Sequence, residues 1–250
     1  MIGTRNAKHR ILLQDRDRII IALLDTLRVA TRQQISSFCG FHSDSRANAR
    51  LSQLLRAGQI GRDFIGTITG GRLAVYFPYG RRPRSRNGPA GFEAAITHSL
   101  DIGEVYLSLR RALEGLGWLF SWDRPKEPLG PAGVIPDALI RLEASGKRWT
   151  FLLEVDRATE GAGIWKAKIA KYLALARYPE LRDLLGDERF GVLVVVPSDK
   201  RLAQLRALIS GQTRKIFWIS TTQAINRGGF LASVWLRPEG ERRLPLLGGI

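Results

Sequence analysis

Apolar positions in the first third of the chain recur at helical spacing. Over residues 16–27, Ile19, Ile20, Leu23, Leu24 and Leu27 fall on one side, and Asp15 and Asp17 stand at the end where a helix is partially positive, so an amphipathic helix is expected. A short helix is predicted over 32–38, with Thr31 as its N-cap and Gly40 just past its end. A third begins near Ser43 or Asp44, runs to Ala57 and stops at Gly58. Its inward stripe is Ala47, Leu51, Leu54 and Leu55; at 100° per residue this turns Ser45, Arg46, Ala49, Gln53 and Arg56 outward and leaves Arg50 at the flank. The period then changes. Two β-prone runs, 64–69 and 72–77, flank Gly70-Gly71, which predicts a hairpin with a two-residue turn. Three helices followed by a hairpin is the order of a winged helix-turn-helix.

Beyond residue 91 helices and strands alternate. A long helix is expected over 92–116, a strand over 118–122, a Pro/Gly-rich loop, strands over 135–142 and 149–155 around a Ser145-Gly146-Lys147 turn, and a helix over 162–177. The nearly all-apolar run 190–196 has the pattern of a strand covered on both faces. A helix at 200–209, a strand at 215–219, a short helix at 222–226 and a strand at 232–236 complete the order. The expected fold class is α+β or α/β: an N-terminal winged helix-turn-helix followed by an α/β domain with a mixed sheet. Between them Gly80-Arg81-Arg82-Pro83-Arg84-Ser85-Arg86-Asn87-Gly88-Pro89 lacks apolar periodicity and reads as an exposed linker, giving domains at 1–80 and 92–250 joined by 81–91.

Charge sharpens this picture. The 250 residues hold 39 Lys+Arg against 23 Asp+Glu, a net +16, and residues 1–90 alone carry 16 basic and 5 acidic side chains. A polyanion is the expected partner, and on the helical unit that means double-stranded DNA. An outward arginine can bind guanine bidentately, and Ala49 can approach a thymine methyl. The candidate DNA-contacting residues are Arg32, Ser45, Arg46, Ala49, Arg50, Gln53, Arg56 and, in the hairpin and linker, Arg72, Arg81, Arg82, Arg84 and Arg86. The same features also suit a protein-docking module with a solvated basic face. One cysteine, Cys39, and no Cys/His cluster point to a reducing compartment without structural metal, so a cytoplasmic location is expected. The longest apolar runs are too short to span a membrane, and no signal-peptide core follows the basic start, so membrane partners are not expected.

One group of residues could carry chemistry. Asp137 opens one predicted strand, and Glu154 and Asp156 end the next, two apart and therefore on one face. Three carboxylates at neighbouring strand ends could hold Mg²⁺ for phosphodiester cleavage, with Lys166 or Lys168 of the following helix steadying the developing charge. The other reading is an ion-paired cluster in which Lys168 and Arg157 neutralise Glu154 and Asp156, with no cofactor. His98 and the tryptophans Trp118, Trp122, Trp149 and Trp165 are expected to pack in or against the core.

Pro136-Asp137-Ala138-Leu139, the run from Phe151 through Glu154, Asp156 and Thr159, and Lys168-Ile169-Ala170-Lys171-Tyr172 resemble the core signature of the plasmid replication-relaxation family. Arg16-Asp17-Arg18, Arg28-Val29-Ala30-Thr31 and His98 are similar to that family's N-terminal pattern. The resemblance implies a winged helix joined to a domain like the PD-(D/E)xK (restriction-endonuclease-like) nucleases, and DNA work in replication, mobilisation or gene control on plasmids or other mobile elements. It departs from the nuclease pattern at Asp156, which stands where lysine is expected two residues after the glutamate; Lys168 is the candidate substitute. The expected function is double-stranded-DNA binding, with a homodimer and contacts to replication or mobilisation proteins, and a second domain that is non-catalytic. The alternative is a Mg²⁺-dependent endonuclease with Asp137, Glu154 and Lys168 catalytic and Asp137, Glu154 and Asp156 on the metal.

Overall fold

Residues 11–67, 69–83 and 88–248 are described by a computed structural model. The chain divides into two units, Met1–Leu107 and Ser108–Ile250.

In the first unit, α1 (Asp15–Leu27), α2 (Arg32–Cys39) and α3 (Asp44–Arg56) precede β2 (Ile60–Gly66) and β3 (Arg72–Pro78), and the two-residue β1 (Ala30–Thr31) lies between α1 and α2. β3 is the central strand, antiparallel to both β1 and β2. Each helix starts where its sequence supplies a cap. Thr31 accepts from the Gln34 amide while the Gln34 side chain accepts from the Thr31 amide; Ser43 accepts from the Arg46 amide; and at α1 the Asp17 carboxylate accepts from the Gln14 amide. Gly40 ends α2 in the left-handed conformation, as predicted. The apolar stripes close inward: Ile20, Leu23, Leu24 and Leu27 of α1 and Ala47, Leu51 and Leu54 of α3 are buried, while Leu55 is half-buried. The hairpin differs from expectation at its tip. Pairing begins at Ile60 and ends at Gly66 opposite Arg72, so the turn spans 67–71 rather than Gly70-Gly71 alone. Thr67 organises it, its hydroxyl accepting from the Gly71 amide at 2.9 Å.

The long helix α4 spans Gly88–Leu113 and contains the division between the units. It begins inside the segment expected to be linker. Ile96 and Leu100 pack with Val29, Ile65 and Val75 of the first unit, and the Gln34 amide of α2 donates to the Leu100 carbonyl and the Glu104 carboxylate at 3.0 and 2.9 Å. The first unit extends to Leu107, beyond the segment 81–91, because α4 residues such as Ile96 and Leu100 pack on its three-stranded sheet.

The second unit holds a five-stranded mixed sheet in the order β4-β5-β6-β7-β8, made of β4 (Leu119–Asp123), β5 (Ala138–Ala144), β6 (Lys147–Val155), β7 (Gly191–Val196) and β8 (Phe217–Thr221). β4, β5 and β6 pair antiparallel, and β6, β7 and β8 run parallel. The β5–β6 turn places Ser145 and Gly146 at φ 50° and 73°, both left-handed, which fits a two-residue hairpin connection. α5 (Ala162–Leu175) and α7 (Asp199–Ser210) share one core with the sheet: Trp165, Ile169, Tyr172, Leu202, Leu205 and Ile209 meet Leu152, Val192, Val194, Phe217 and Ile219. β7 is buried along its whole length, as its apolar run predicted. A short α6 (Leu181–Leu185) was not anticipated, α8 (Thr222–Gly228) was, and the strand expected at 232–236 is reduced to isolated bridges, Ile219 to Leu236 and Trp235 to Leu244. The molecule is thus a mixed α+β protein. No helix among the described residues is long and apolar enough to cross a membrane.

Candidate functional site

Two places concentrate the residues singled out from the sequence. The first is the outer surface of α3 and the hairpin. Ser45, Arg46, Ala49, Gln53 and Arg56 are exposed, as the helical wheel required, and Asn48 joins them. Arg46 forms no ion pair with a described residue, and Arg56 only touches the Ser52 carbonyl one turn back, at 3.3 Å. On the hairpin, the guanidinium groups of Arg62 and Arg72 lie over the ring of the half-exposed Phe64, 5.2 and 5.1 Å from its centre. Arg62 and Phe64 were not among the expected contact residues. Their alternation along β2 puts both on one face, a signal the sequence carried.

Other members of the predicted set are committed elsewhere. Arg50 reaches α1: its Nε donates to the Asp17 carboxylate at 2.7 Å, its Nη2 forms a second, very short contact with the same group, and its Nη1 donates to Gln53 at 2.6 Å. Asp17 is wholly buried, and it also accepts from the Gln14 amide at 2.7 Å. Burial opposes its charge, but Arg50 and the Gln14 amide hold its carboxyl below the ordinary value. Arg50, placed at the flank by the helical wheel, therefore clamps α1 to α3. Arg32 is paired with Asp44 at 2.6 Å and touches Asn48 at 3.3 Å. Arg81 pairs with Asp25 and Arg82 with Asp63, at 3.3 and 2.6 Å, so these two lie against the first unit and are not part of a free tether. Arg84 and Arg86, like the basic residues before residue 11, lie outside the described residues.

The second place is the C-terminal end of β6. The β5–β6 register sets Ala138 opposite Leu153, and its continuation sets Asp137 across from Glu154. Asp137 is fixed by its own backbone amide, which donates to the Leu153 carbonyl, and by its carboxylate, which accepts from the Val155 amide, both at 2.8 Å. Glu154 is buried with both oxygens engaged, one accepting from Lys168 at 2.9 Å and the other from the Tyr172 hydroxyl at 2.5 Å. Lys168 and Tyr172 are one turn apart on α5, which explains how both reach one carboxylate. Burial pushes the Glu154 carboxyl up; the counter-pull of Lys168 does not cancel this, and Asp137 adds to it. Lys168 also pairs with Glu160 at 2.8 Å, and the two glutamates hold its ammonium above the ordinary value despite burial.

Asp156 goes to a different partner. It accepts the Arg201 guanidinium through both oxygens at 2.7 and 2.8 Å, the Trp165 indole N–H at 3.0 Å and the Ala158 amide at 2.9 Å. Burial works against its charge, but these donors keep its carboxyl below the usual range. Arg201 also donates to the Glu160 carbonyl at 2.7 Å, tying α7 to the loop before α5. Lys168 and Arg157 were expected to neutralise Glu154 and Asp156; Lys168 pairs with Glu154, and Asp156 has a bidentate partner in Arg201, which lies 45 positions further along and gives no local pattern with it. Asp137, Glu154 and Lys168 thus come together as predicted, while Asp156 is drawn away by a competing guanidinium. No group of three or more His, Cys, Asp or Glu side chains among the described residues is arranged to hold a metal ion. Each oxygen of Glu154 and of Asp156 accepts from a protein donor in this structure. Trp165 is fully buried, as expected, and Trp118 stacks on Trp149 with ring centres 5.9 Å apart. His98 lies on the part of α4 that belongs to the first unit.

No curated protein matches the chain. Among solved structures, it is similar to the restriction endonuclease FokI, at 11% identity and a TM-score of 0.30, over 85% of this chain and 43% of that one. The family model described as replication-relaxation matches residues 21–183. That span is well over half of the sequence and takes in α2, α3, the hairpin, α4 and the Asp137, Glu154 and Lys168 cluster, so the chain belongs to the replication-relaxation family.

Proposed function

We propose that the chain is a double-stranded-DNA-binding protein of a plasmid or other mobile element, acting in replication, mobilisation or transcription control. On this reading the first unit is a winged helix-turn-helix in which α3 enters the major groove and β2–β3 is the wing. One observation carries it: α3 presents Arg46, Ala49, Gln53 and Arg56 to solvent on a single face, with Arg46 in no ion pair with a described residue. Family membership supports a DNA-associated role in replication. The order of three antiparallel strands, α5 and the parallel β7 supports reading the second unit as restriction-endonuclease-like. The occupied oxygens of Glu154 and Asp156 support a non-catalytic role for it in dimerisation, DNA contact or partner binding.

The test is a gel-shift selection of preferred duplexes followed by Arg46→Ala. Loss of one base-reading arginine costs about 1–3 kcal/mol, a fall in affinity of roughly 5- to 150-fold at fixed salt. An unchanged affinity, or one indifferent to salt, would refute the reading.

A second reading, a metal-dependent nickase, is favoured by one contact: Lys168 reaches Glu154 from α5, where it could replace the lysine missing at position 156. Incubating the protein with supercoiled plasmid, with and without Mg²⁺ or Mn²⁺, separates the two. Metal-dependent nicking abolished by Glu154→Ala would establish the enzyme.

A further inference from the structure

At the N-terminal ends of β6, β7 and β8, away from Glu154 and Asp156, lies a cavity of 540 Å³. This is within the range of small-ligand pockets, about 300–1,000 Å³. Its lining combines flat aromatic rings, Trp149 and Trp218, with the cations Lys147, Arg189 and Arg237.

The rings are pre-organised. Trp149 is held by stacking on Trp118, while Trp218 is buried beneath the Arg237 guanidinium, 4.4 Å from its ring centre, and backs the cavity. The cations are available. Lys147 and Arg189 are exposed, and neither they nor Arg237 form an ion pair with a carboxylate among the described residues. Arg237 is the most telling of the three: it is half-buried, its hydrogen bond to the Arg214 carbonyl is long at 3.5 Å, and burial pushes its guanidinium below the ordinary value. A partly desolvated cation without a counter-ion is stabilised by an incoming anion. Two carboxylates also line the cavity, and both are engaged. Glu188 pairs with Arg182 at 3.2 Å, and Asp187 accepts from the Thr150 hydroxyl and the Arg189 amide.

A ligand that matches both components has an aromatic ring and a phosphate. We propose that this cavity binds a nucleotide, its base against the half-buried Trp149 ring and its phosphate on Lys147, Arg189 and Arg237. The nucleotide is either free or one unit of single-stranded DNA; the two share this chemistry. The site is independent of the duplex-reading face of α3.

The test is calorimetric titration of the full chain with deoxyadenosine monophosphate and, separately, with a short single-stranded oligodeoxyadenylate. The variant is Lys147→Ala/Arg189→Ala, whose two side chains are exposed and make no ion pairs, with circular dichroism to confirm the fold. Saturable binding of either probe is expected, weakened by about tenfold or more in the double variant through loss of two charge-assisted phosphate contacts. Binding of the mononucleotide assigns a free-nucleotide site; binding of the oligonucleotide alone assigns a single-strand site. The proposal is overturned if neither probe binds, if the double variant binds like the wild type, or if inorganic phosphate competes as strongly as the mononucleotide. A gel shift of duplex DNA that survives in the double variant keeps this result separate from that for α3.

Discussion

Removing the Arg50 guanidinium tests whether this arginine is a structural clamp or a DNA contact. In Arg50→Ala the wholly buried Asp17 loses two of its charge-assisted hydrogen bonds and keeps the one from the Gln14 amide. Breaking a buried pair by deleting one partner costs about 3–5 kcal/mol, because a desolvated charge is left behind. For a unit the size of Met1–Leu107, each kcal/mol moves Tm by about 4–8 °C, so a fall of more than 10 °C or so is expected for its transition. Differential scanning calorimetry reads this directly. The double variant Asp17→Leu/Arg50→Met removes both charges and should recover much of the loss, since the pair itself is worth far less than the cost of orphaning one member. By contrast, Arg46→Ala, on the exposed face of the same helix, should leave Tm within about 2 °C. An Arg50→Ala protein as stable as the wild type, with its duplex affinity lost, would refute the clamp and return Arg50 to the DNA-contacting set.

Three further outcomes follow from the same contacts. The folded-state pKa of Asp17 is depressed, so its stabilisation is present above its unfolded value, about pH 4, and is lost as pH falls through the folded value; the stability gap between wild type and Asp17→Asn should be full at neutral pH and close in acid, as followed by urea melts. Trp165→Phe removes a hydrogen bond to the buried Asp156 carboxylate while keeping most of the ring volume, and should cost about 1.5–3 kcal/mol in chemical denaturation of the second unit; a loss under about 0.5 kcal/mol would show that Arg201 and the Ala158 amide satisfy Asp156 without it. Gly191→Ala would put a Cβ 2.8 Å from the buried Phe151 ring across the β6–β7 ladder and should destabilise by about 1–3 kcal/mol, measured by the same melts.

Several elements were legible because their causes are local. The caps at Thr31 and Ser43, the outward face of α3, the all-apolar β7 and the Ser145-Gly146 turn each depend on residues within a few positions of one another. Lys168 beside Glu154 was legible for a related reason: a strand end and the next helix place them. The hairpin tip was misjudged because the pair Gly70-Gly71 satisfies the two-residue turn pattern, whereas the ladder ends at Gly66 and Thr67 builds a wider turn. Residues 232–236 have strand composition, but only isolated bridges hold them, so the pattern found no ladder to join.

Sequence by itself determined the periodicity, and with it the helices, the strands and which face of each is apolar, since these follow from side-chain spacing along one element. It also placed the positive charge on the helical unit and the carboxylates at strand ends. Only the tertiary structure decided which charge meets which. Arg50 and Asp17 are 33 positions apart, and Arg201 and Asp156 are 45 apart, so nothing in either neighbourhood announces the pairing. These pairings matter because a buried carboxylate needs a partner, and the chain supplies the nearest guanidinium in space rather than in sequence. In the folded chain Arg50 joins α1 to α3, and Asp156 joins α5 to α7 through Trp165 and Arg201.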